Sequence, residues 1–368
     1  MIFFANPQEQ FKSYQEEIEN AVLNVLSSKS FILGNEVKSL EEEFSQYIGT
    51  KFAIGVANGT DAIEISLRSL NIGKGDEVIT VSHTAVATVS AIEASGANPI
   101  LVDIENDFFT LDINKLDEVI SEKTKALICV HLYGQAANII EIKEYCKNKN
   151  IYLIEDVSQA HGALFQNCRL GTFGDISCFS CYPTKNLGAI GDAGLIVTSN
   201  EKIAKNVYSI REYGWSKRRY VSELIGRNSR MDEIQASILR IKLKNLDLDN
   251  LKRTKIADIY TEYFKDKGII SPKVRKESGH VYHLYVIRLN KRDELLNFLK
   301  EKGIFAGIHY PLPIHKQPAY EKRLKTSQCM KVTEEVSKKV LSLPIYPELS
   351  SNNINYILDM ITLFLSKK

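Results

Sequence analysis

Between residues 52 and 200 the chain alternates short apolar runs with longer segments of helical period. The runs at 52–57, 77–81, 99–102, 126–131, 151–155, 176–180 and 195–198 are rich in Val, Ile, Leu and Phe. They are too short for helices and predict strands. Segments 62–70, 86–94 and 139–149 repeat apolar residues at helical spacing and predict helices between them. Strand and helix in alternation predict βαβ units, hence an α/β fold with a mostly parallel sheet and helices on both faces. The first 50 residues differ. They predict two helices around a loop at 27–35, the second carrying Glu41, Glu42 and Glu43 on a solvated face over an apolar stripe.

The α/β order breaks at 213–230, a polar segment with Lys217, Arg218, Arg219, Arg227 and Arg230 and with Gly214 and Gly226 as breakers. Two helical stretches, 232–246 and 248–265, follow it. Beyond Gly268 the pattern becomes α+β: an alternating strand at 281–289, a helix at 292–302, a strand-like 305–309, a Pro-punctuated 311–318 and two terminal helices. This places a large domain over 1–255 and a smaller α+β domain over 256–368, since single cores seldom grow beyond about 250–300 residues.

Composition narrows the function class. The 368 residues are 44% hydrophobic and 25% charged, which excludes a disordered chain. Forty-seven Lys and Arg against 45 Asp and Glu leave a net charge of +2, without the basic field of a nucleic-acid protein. No apolar run approaches the roughly 20 residues that span a bilayer. The start, Met1-Ile2-Phe3-Phe4-Ala5-Asn6-Pro7, lacks the basic and long apolar regions of a signal peptide, so the expected location is cytoplasmic. The cysteines at 129, 146, 168, 178, 181 and 329 do not make a disulfide scaffold in so long a chain. Cys178 and Cys181 form a CxxC with no second pair and sit in a predicted strand, so they read as buried strand cysteines.

Three short segments carry chemistry. Asn58-Gly59-Thr60-Asp61-Ala62 follows a strand and opens a helix, where free amides would face an anion; an ordinary capped Asn-Gly turn is the alternative. In Glu155-Asp156-Val157-Ser158-Gln159-Ala160-His161-Gly162, Asp156 ends an apolar strand, where α/β proteins place ligands, although it could simply cap a helix. Lys185 lies in Ser180-Cys181-Tyr182-Pro183-Thr184-Lys185-Asn186-Leu187-Gly188, a rigid loop suited to a Schiff-base lysine. The glycines at 188, 191 and 194 do not form GxGxxG and precede a strand, which argues against a nicotinamide oxidoreductase. A phosphate cradle, then an acid, then a lysine describe a site for pyridoxal 5'-phosphate. That cofactor needs an anion seat, a carboxylate to keep its pyridine nitrogen protonated, and an amine for its carbonyl.

With these motifs, together with Gly191-Asp192-Ala193-Gly194 and Gly226-Arg227-Asn228-Ser229-Arg230-Met231-Asp232-Glu233, the chain resembles the DegT/DnrJ/StrS family of pyridoxal-phosphate-dependent sugar aminotransferases over essentially its whole length. The resemblance implies an aspartate-aminotransferase-like (type I) fold, a homodimer with shared active sites, and nucleotide-linked keto-sugar substrates with L-glutamate and 2-oxoglutarate. It makes Lys185 the Schiff-base lysine and Asp156 the partner of the pyridine nitrogen. Gln159 would lie against the ring hydroxyl, and Gly59, Thr60 and Ser180 would hold the phosphate. Asn228 would reach the neighbouring subunit's cofactor. Arg219 and Arg230 are candidates for the nucleotide pyrophosphate or the donor carboxylate, with a solvated surface arginine as the alternative.

One departure stands out. In Ser82-His83-Thr84-Ala85-Val86-Ala87-Thr88 the family usually has an aromatic residue where this chain has Ala85, and His83 is a candidate to cover the ring instead. The same segment, Tyr182 before Pro183, and His309-Tyr310 resemble the branch acting at C-3 of dTDP-3-oxo-6-deoxyhexoses. That branch makes 3-amino-3,6-dideoxy-glucose or -galactose for surface polysaccharide or antibiotic sugars, and Tyr182, His309 and Tyr310 become candidate hexose contacts. A C-4 aminotransferase is the nearest rival. A sugar dehydratase of this fold would carry a histidine in place of Lys185, and a non-catalytic regulatory homologue would tolerate loss of Lys185, Asp156 or Asn228.

Overall fold

The computed structural model describes residues 1–366. The chain opens with a two-residue strand β1 (Ile2–Phe3) and three helices, α1 (Pro7–Ser13), α2 (Gln15–Leu26) and α3 (Asn35–Ile48). Asn6 caps α1 by accepting from the Glu9 amide, and Gly49, at φ +92°, ends α3 in the left-handed conformation that glycine adopts without strain. The α/β region follows as β2 (Phe52–Val56), α4 (Gly59–Ser69), β3 (Glu77–Val81), α5 (Val86–Ser95), β4 (Asn98–Val102), β5 (Thr124–Val130), α6 (Ile139–Lys149) and β6 (Tyr152–Asp156). A small hairpin, β7 (Leu164–Phe165) with β8 (Cys168–Arg169), leads to β9 (Ile176–Ser180), β10 (Gly194–Thr198) and α7 (Glu201–Ile210). The remainder comprises α8 (Glu233–Phe264), β11 (Tyr285–Arg288), α9 (Arg292–Glu301), β12 (Ile304–Phe305), β13 (Lys325–Thr326), α10 (Lys331–Ser337), β14 (Val340–Leu343) and α11 (Ser351–Ser366).

The large sheet has eight strands in the order β13-β4-β3-β5-β6-β9-β10-β2. All its pairings are parallel except those of β10, which runs antiparallel to both β9 and β2. Apolar clusters lie on both faces, one under α4 and α7 and the other under α3 and the first half of α8. Burial on both faces explains why these strands read as continuous apolar runs and not as alternating ones. The expected α/β architecture of the type I fold is therefore present.

Two expectations are corrected. The stretches 232–246 and 248–265 form one 32-residue helix, α8, because no glycine or proline interrupts them. The expected strand at 281–289 is ladder-paired only over Tyr285–Arg288, since 281–284 bond instead to the loop at Tyr133 and Gly134. The halves at 255/256 are interlocked. The N-terminal β1 pairs with β12 beyond the boundary, β13 returns to the edge of the large sheet beside β4, and Ile314, Tyr320 and Met330 pack on Val89 and Leu101. The second half of α8 belongs to the smaller core, where Ile256, Ala257, Tyr260 and Phe264 meet β11, β14, α9 and α11.

Candidate active site

The parallel strands β2, β3, β5, β6 and β9 all point their C-terminal ends to one edge, where α/β sheets concentrate loops and helix N-termini. There they enclose a cavity of about 260 Å³. Asn58, Gly59, Thr60, Thr84, Ala85, Thr88, Asp156, Gln159, Ser180, Tyr182 and Lys185 are among its walls. Residues from four separate segments of sequence thus converge.

One end is an anion seat. Asn58 caps α4, its side chain accepting from the Asp61 amide, while the Ala62 amide bonds the Asn58 carbonyl. The amides of Gly59 and Thr60 are left for a ligand at the positive end of the helix dipole. Glycine is required at position 59, since a Cβ there would lie 2.5 Å from the Ser180 Cβ. Gly194 on β10 serves the same approach, because its Cβ would meet the Asn58 carbonyl oxygen at 2.4 Å.

The other end is acidic. Asp156, 5% exposed at the tip of β6, accepts from Thr88 Oγ1 at 3.1 Å and from the Ser158 amide at 3.2 Å. Thr88 is a residue that sequence reasoning passed over; it lies one turn into α5, three residues past Ala85. The preceding Glu155 is buried for structural reasons. It accepts from His131 Nε2 and from the amides of Gly171, Phe173 and Gly174, which hold its carboxyl below the usual range despite burial.

Between the ends lies Lys185, on a loop stiffened by Pro183 and by Gly188, whose Cβ would meet the Pro183 carbonyl at 2.5 Å. Burial pushes the Lys185 ammonium down to about 8, against the opposing pull of the Asp156 carboxylate. An amine near neutrality is a competent base and nucleophile.

Gln159 lines the cavity, yet its amide is already engaged. Its Oε1 accepts from the Tyr133 amide at 2.8 Å and its Nε2 donates to the Tyr310 hydroxyl at 3.0 Å. Tyr133 in turn donates from its hydroxyl to the His309 carbonyl. With that proton committed, His83 Nε2 must be the donor to the Tyr133 oxygen, at 2.7 Å. His83 is not among the residues lining the cavity; it is the buried centre of a cluster with Phe109, Tyr133 and Tyr310, and burial pushes it down to about 4. His309 and Tyr310 reach the cavity only through this network, and His309 Nδ1 is bonded to Ser342 Oγ. Tyr133, held at φ +63°, had no signal in the sequence.

Tyr182 stands at the mouth, 52% exposed. The basic segment lies apart from the walls. Arg219 is exposed and stacks on Tyr220 and Trp215. Asn228 is exposed, bridged to Glu212, and does not enter the cavity of its own chain. Arg230 is half-buried with its Nε unpaired. The segment is nevertheless anchored to the anion seat. Arg227 pairs with Asp61 at 3.3 Å and with Glu64, and Ser229 Oγ accepts from the Ala57 amide.

Comparison with known proteins agrees with this geometry. The chain is 42% identical to the dTDP-3-amino-3,6-dideoxy-alpha-D-galactopyranose transaminase of Aneurinibacillus thermoaerophilus, covering 98% of this chain and 99% of the relative. It is 38% identical to the dTDP-3-amino-3,4,6-trideoxy-alpha-D-glucose transaminase of Streptomyces venezuelae, over 95% of this chain and 93% of that protein. The structure superposes on S. venezuelae DesV in complex with a ketimine intermediate with a TM-score of 0.95, at 37% identity and with 99% and 98% of the two chains covered. The sequence profile of the DegT/DnrJ/EryC1/StrS aminotransferase family matches residues 12–362. The chain belongs to that family of pyridoxal-phosphate-dependent aminotransferases.

Proposed function

We propose that this enzyme transfers the amino group of L-glutamate to the C-3 keto group of a dTDP-3-oxo-6-deoxyhexose. The product would be a dTDP-3-amino-3,6-dideoxyhexose of gluco or galacto configuration, destined for surface polysaccharide or antibiotic sugars. The observation that carries the reading is full-length similarity to two dTDP-sugar transaminases, both named for a 3-amino product. The residues fit the cofactor: free amides and an enforced glycine at one end of the cavity, a carboxylate at the other, and a lysine of lowered basicity between them.

Pyridoxal phosphate, when bound, supplies an electron-withdrawing ring that makes the Cα proton of the amino donor removable. In this reading Gly59, Thr60 and Ser180 hold its phosphate, and Asp156 keeps the pyridine nitrogen protonated. Thr88 and the Ser158 amide orient that carboxylate. Lys185 would hold the cofactor through its side-chain amine, and that amine, when free, is the base of the site. As the base it takes the proton from the glutamate Cα, and in the second half it returns a proton to C-3 of the sugar. Ala85 lines the cavity together with Thr84 and Thr88, so this segment offers no aromatic side chain to the site.

The remaining roles concern the sugar and a second subunit. Tyr182, Tyr310 and His309 are assigned to the hexose, and Arg219 and Arg230 to the pyrophosphate or the donor carboxylate. Asn228 serves the cofactor of a partner in a homodimer. Support for the dimer is the apolar surface around it: Tyr220 is 74% and Ile225 84% exposed, beside an anchored basic loop. No helix among the described residues is long and apolar enough to cross a membrane, and the enzyme is assigned to the cytoplasm, where nucleotide sugars and glutamate are available.

The test is product analysis. Incubation with glutamate and, separately, dTDP-3-oxo- and dTDP-4-oxo-6-deoxyhexose, followed by NMR, should give a 3-amino sugar from the 3-oxo substrate and no amination of the 4-oxo substrate. Amination at C-4 alone would overturn the assignment.

A further inference from the structure

One face of α8 is polar where the helix packs against both domains, a position that ordinarily selects apolar residues. Lys242, Asp249, Asn250 and Arg253 recur there at helical spacing, and each is less than one-tenth exposed. None of them lines the cavity. Two of them bond the loop that carries Lys185, Lys242 at Gly188 and Asn250 at Asn186. Lys242 Nζ donates to the Gly188 carbonyl at 2.6 Å and to Gln10 Oε1 at 3.0 Å. Arg253 donates to the carbonyls of Tyr282 and Ile345 at 3.3 and 2.9 Å. Asp249 accepts from Tyr14 and Lys252.

Asn250 occupies the centre of this face. Its Nδ2 donates to the His161 carbonyl at 2.9 Å, and its Oδ1 accepts from Asn186 Nδ2 at 2.7 Å. A carbonyl partner on one side fixes which way the amide faces, so the two bonds are not interchangeable. Asn186 also donates to the Val281 carbonyl at 2.9 Å. Gly162, at φ +82°, leaves room for the arrangement; a Cβ there would lie 2.8 Å from Asn250 Nδ2. His161 closes the turn that begins at Asp156, and Asn186 directly follows Lys185. A single side chain therefore joins the segment bearing the acid to the segment bearing the amine, from behind, touching neither group.

We propose that Asn250 is a positioning residue for amine transfer: its amide holds the Lys185 loop in register with the Asp156 turn, while Lys242 pins the far end of that loop at Gly188. The inference rests on Lys185 being the reacting amine. Truncating Asn250 leaves the His161 carbonyl without its partner and the Asn186 amide with only the Val281 carbonyl, in a buried region, and the loop relaxes to satisfy them. Misplacement of a reacting group by about 1 Å costs on the order of a hundredfold in rate.

The test uses the holoenzyme. Asn250→Ala should lower kcat about tenfold to a hundredfold while KM for glutamate and for the sugar stays within about twofold. It should also move the pH midpoint of the bound cofactor's visible absorbance, which depends on the separation of Lys185 from Asp156. Asn186→Ala removes the same link from the other side, and the double variant should fall well short of the product of the two single effects. Should Asn250→Ala not fold, Asn186→Ala and Asn250→Ser carry the same readouts. An unchanged kcat and absorbance midpoint with only a lower Tm would overturn the proposal. Full turnover by Lys185→Ala would instead refute the assignment of the amine, and so separates the two failures.

Discussion

The Lys185 cavity and the basic segment 213–230 are built in opposite ways. The walls of the cavity come from separate segments held by the sheet: strand ends place Gly59, Asp156 and Ser180, and bonds from Thr88 and Ser158 fix the acid. The segment is anchored at its base by Arg227 and Ser229, but its tip, with Arg219, Tyr220 and Ile225, stays exposed. A rigid sheet edge suits a cofactor that remains through every turnover. In the reading proposed above, an exposed cationic and aromatic tip suits a substrate that enters and leaves.

The largest expected effect falls on the cavity. Lys185→Ala should remove the bound cofactor's lysine-linked absorbance and lower turnover by at least about 10²–10⁴-fold, since general acid–base catalysis by a positioned group contributes that much. The loop answers next, through complementation. Asn228→Ala and Lys185→Ala homodimers should each be inactive or nearly so, whereas a mixed dimer regains one complete site. Assay of separately purified and then exchanged subunits checks this, and no recovery on mixing would place Asn228 outside the partner's site.

Gly59→Ala tests how tightly the cavity is built. The new Cβ would press on Ser180 at 2.5 Å, and overpacking of that kind costs about 1–3 kcal/mol, read as weaker cofactor affinity and a lower Tm. The smallest effect returns to the loop. Arg219→Ala should raise KM for the nucleotide sugar by about tenfold with kcat little changed, the loss of one charge-assisted contact. Equal losses in kcat and kcat/KM would instead mean that Arg219 acts in the transition state.

The pH dependence follows from Lys185. Its pKa is depressed to about 8 from the ordinary lysine value, so the neutral, proton-accepting form appears as pH rises through about 8. Single-turnover amination of the sugar by the pyridoxamine form, in which Lys185 is free, should therefore accelerate with pH to a plateau above about 8. A midpoint near the ordinary lysine value would show that burial does not tune this amine.

Much of this was legible in the sequence because local order carried it. The apolar runs located the strands of the large sheet, and motifs at strand ends located Gly59, Asp156, Ser180 and Lys185 in one cavity. What escaped depends on tertiary contacts. Nothing local marks Tyr133 as the hub between His83, Gln159 and His309. The continuity of α8 was hidden by the polar residues around Leu248, which read as a break. Asp247 is instead drawn to Arg169 and Tyr47, and Asp249 to Tyr14. The pairing of β1 with β12 and the return of β13 to β4 are two-residue ladders between distant segments, too short to leave a pattern.

The most direct test of the central claim is to reduce the holoenzyme with borohydride and map the cofactor label by peptide mass spectrometry. One label per chain is expected, on Lys185. Label on another lysine, or none in a protein that still transaminates, would contradict it.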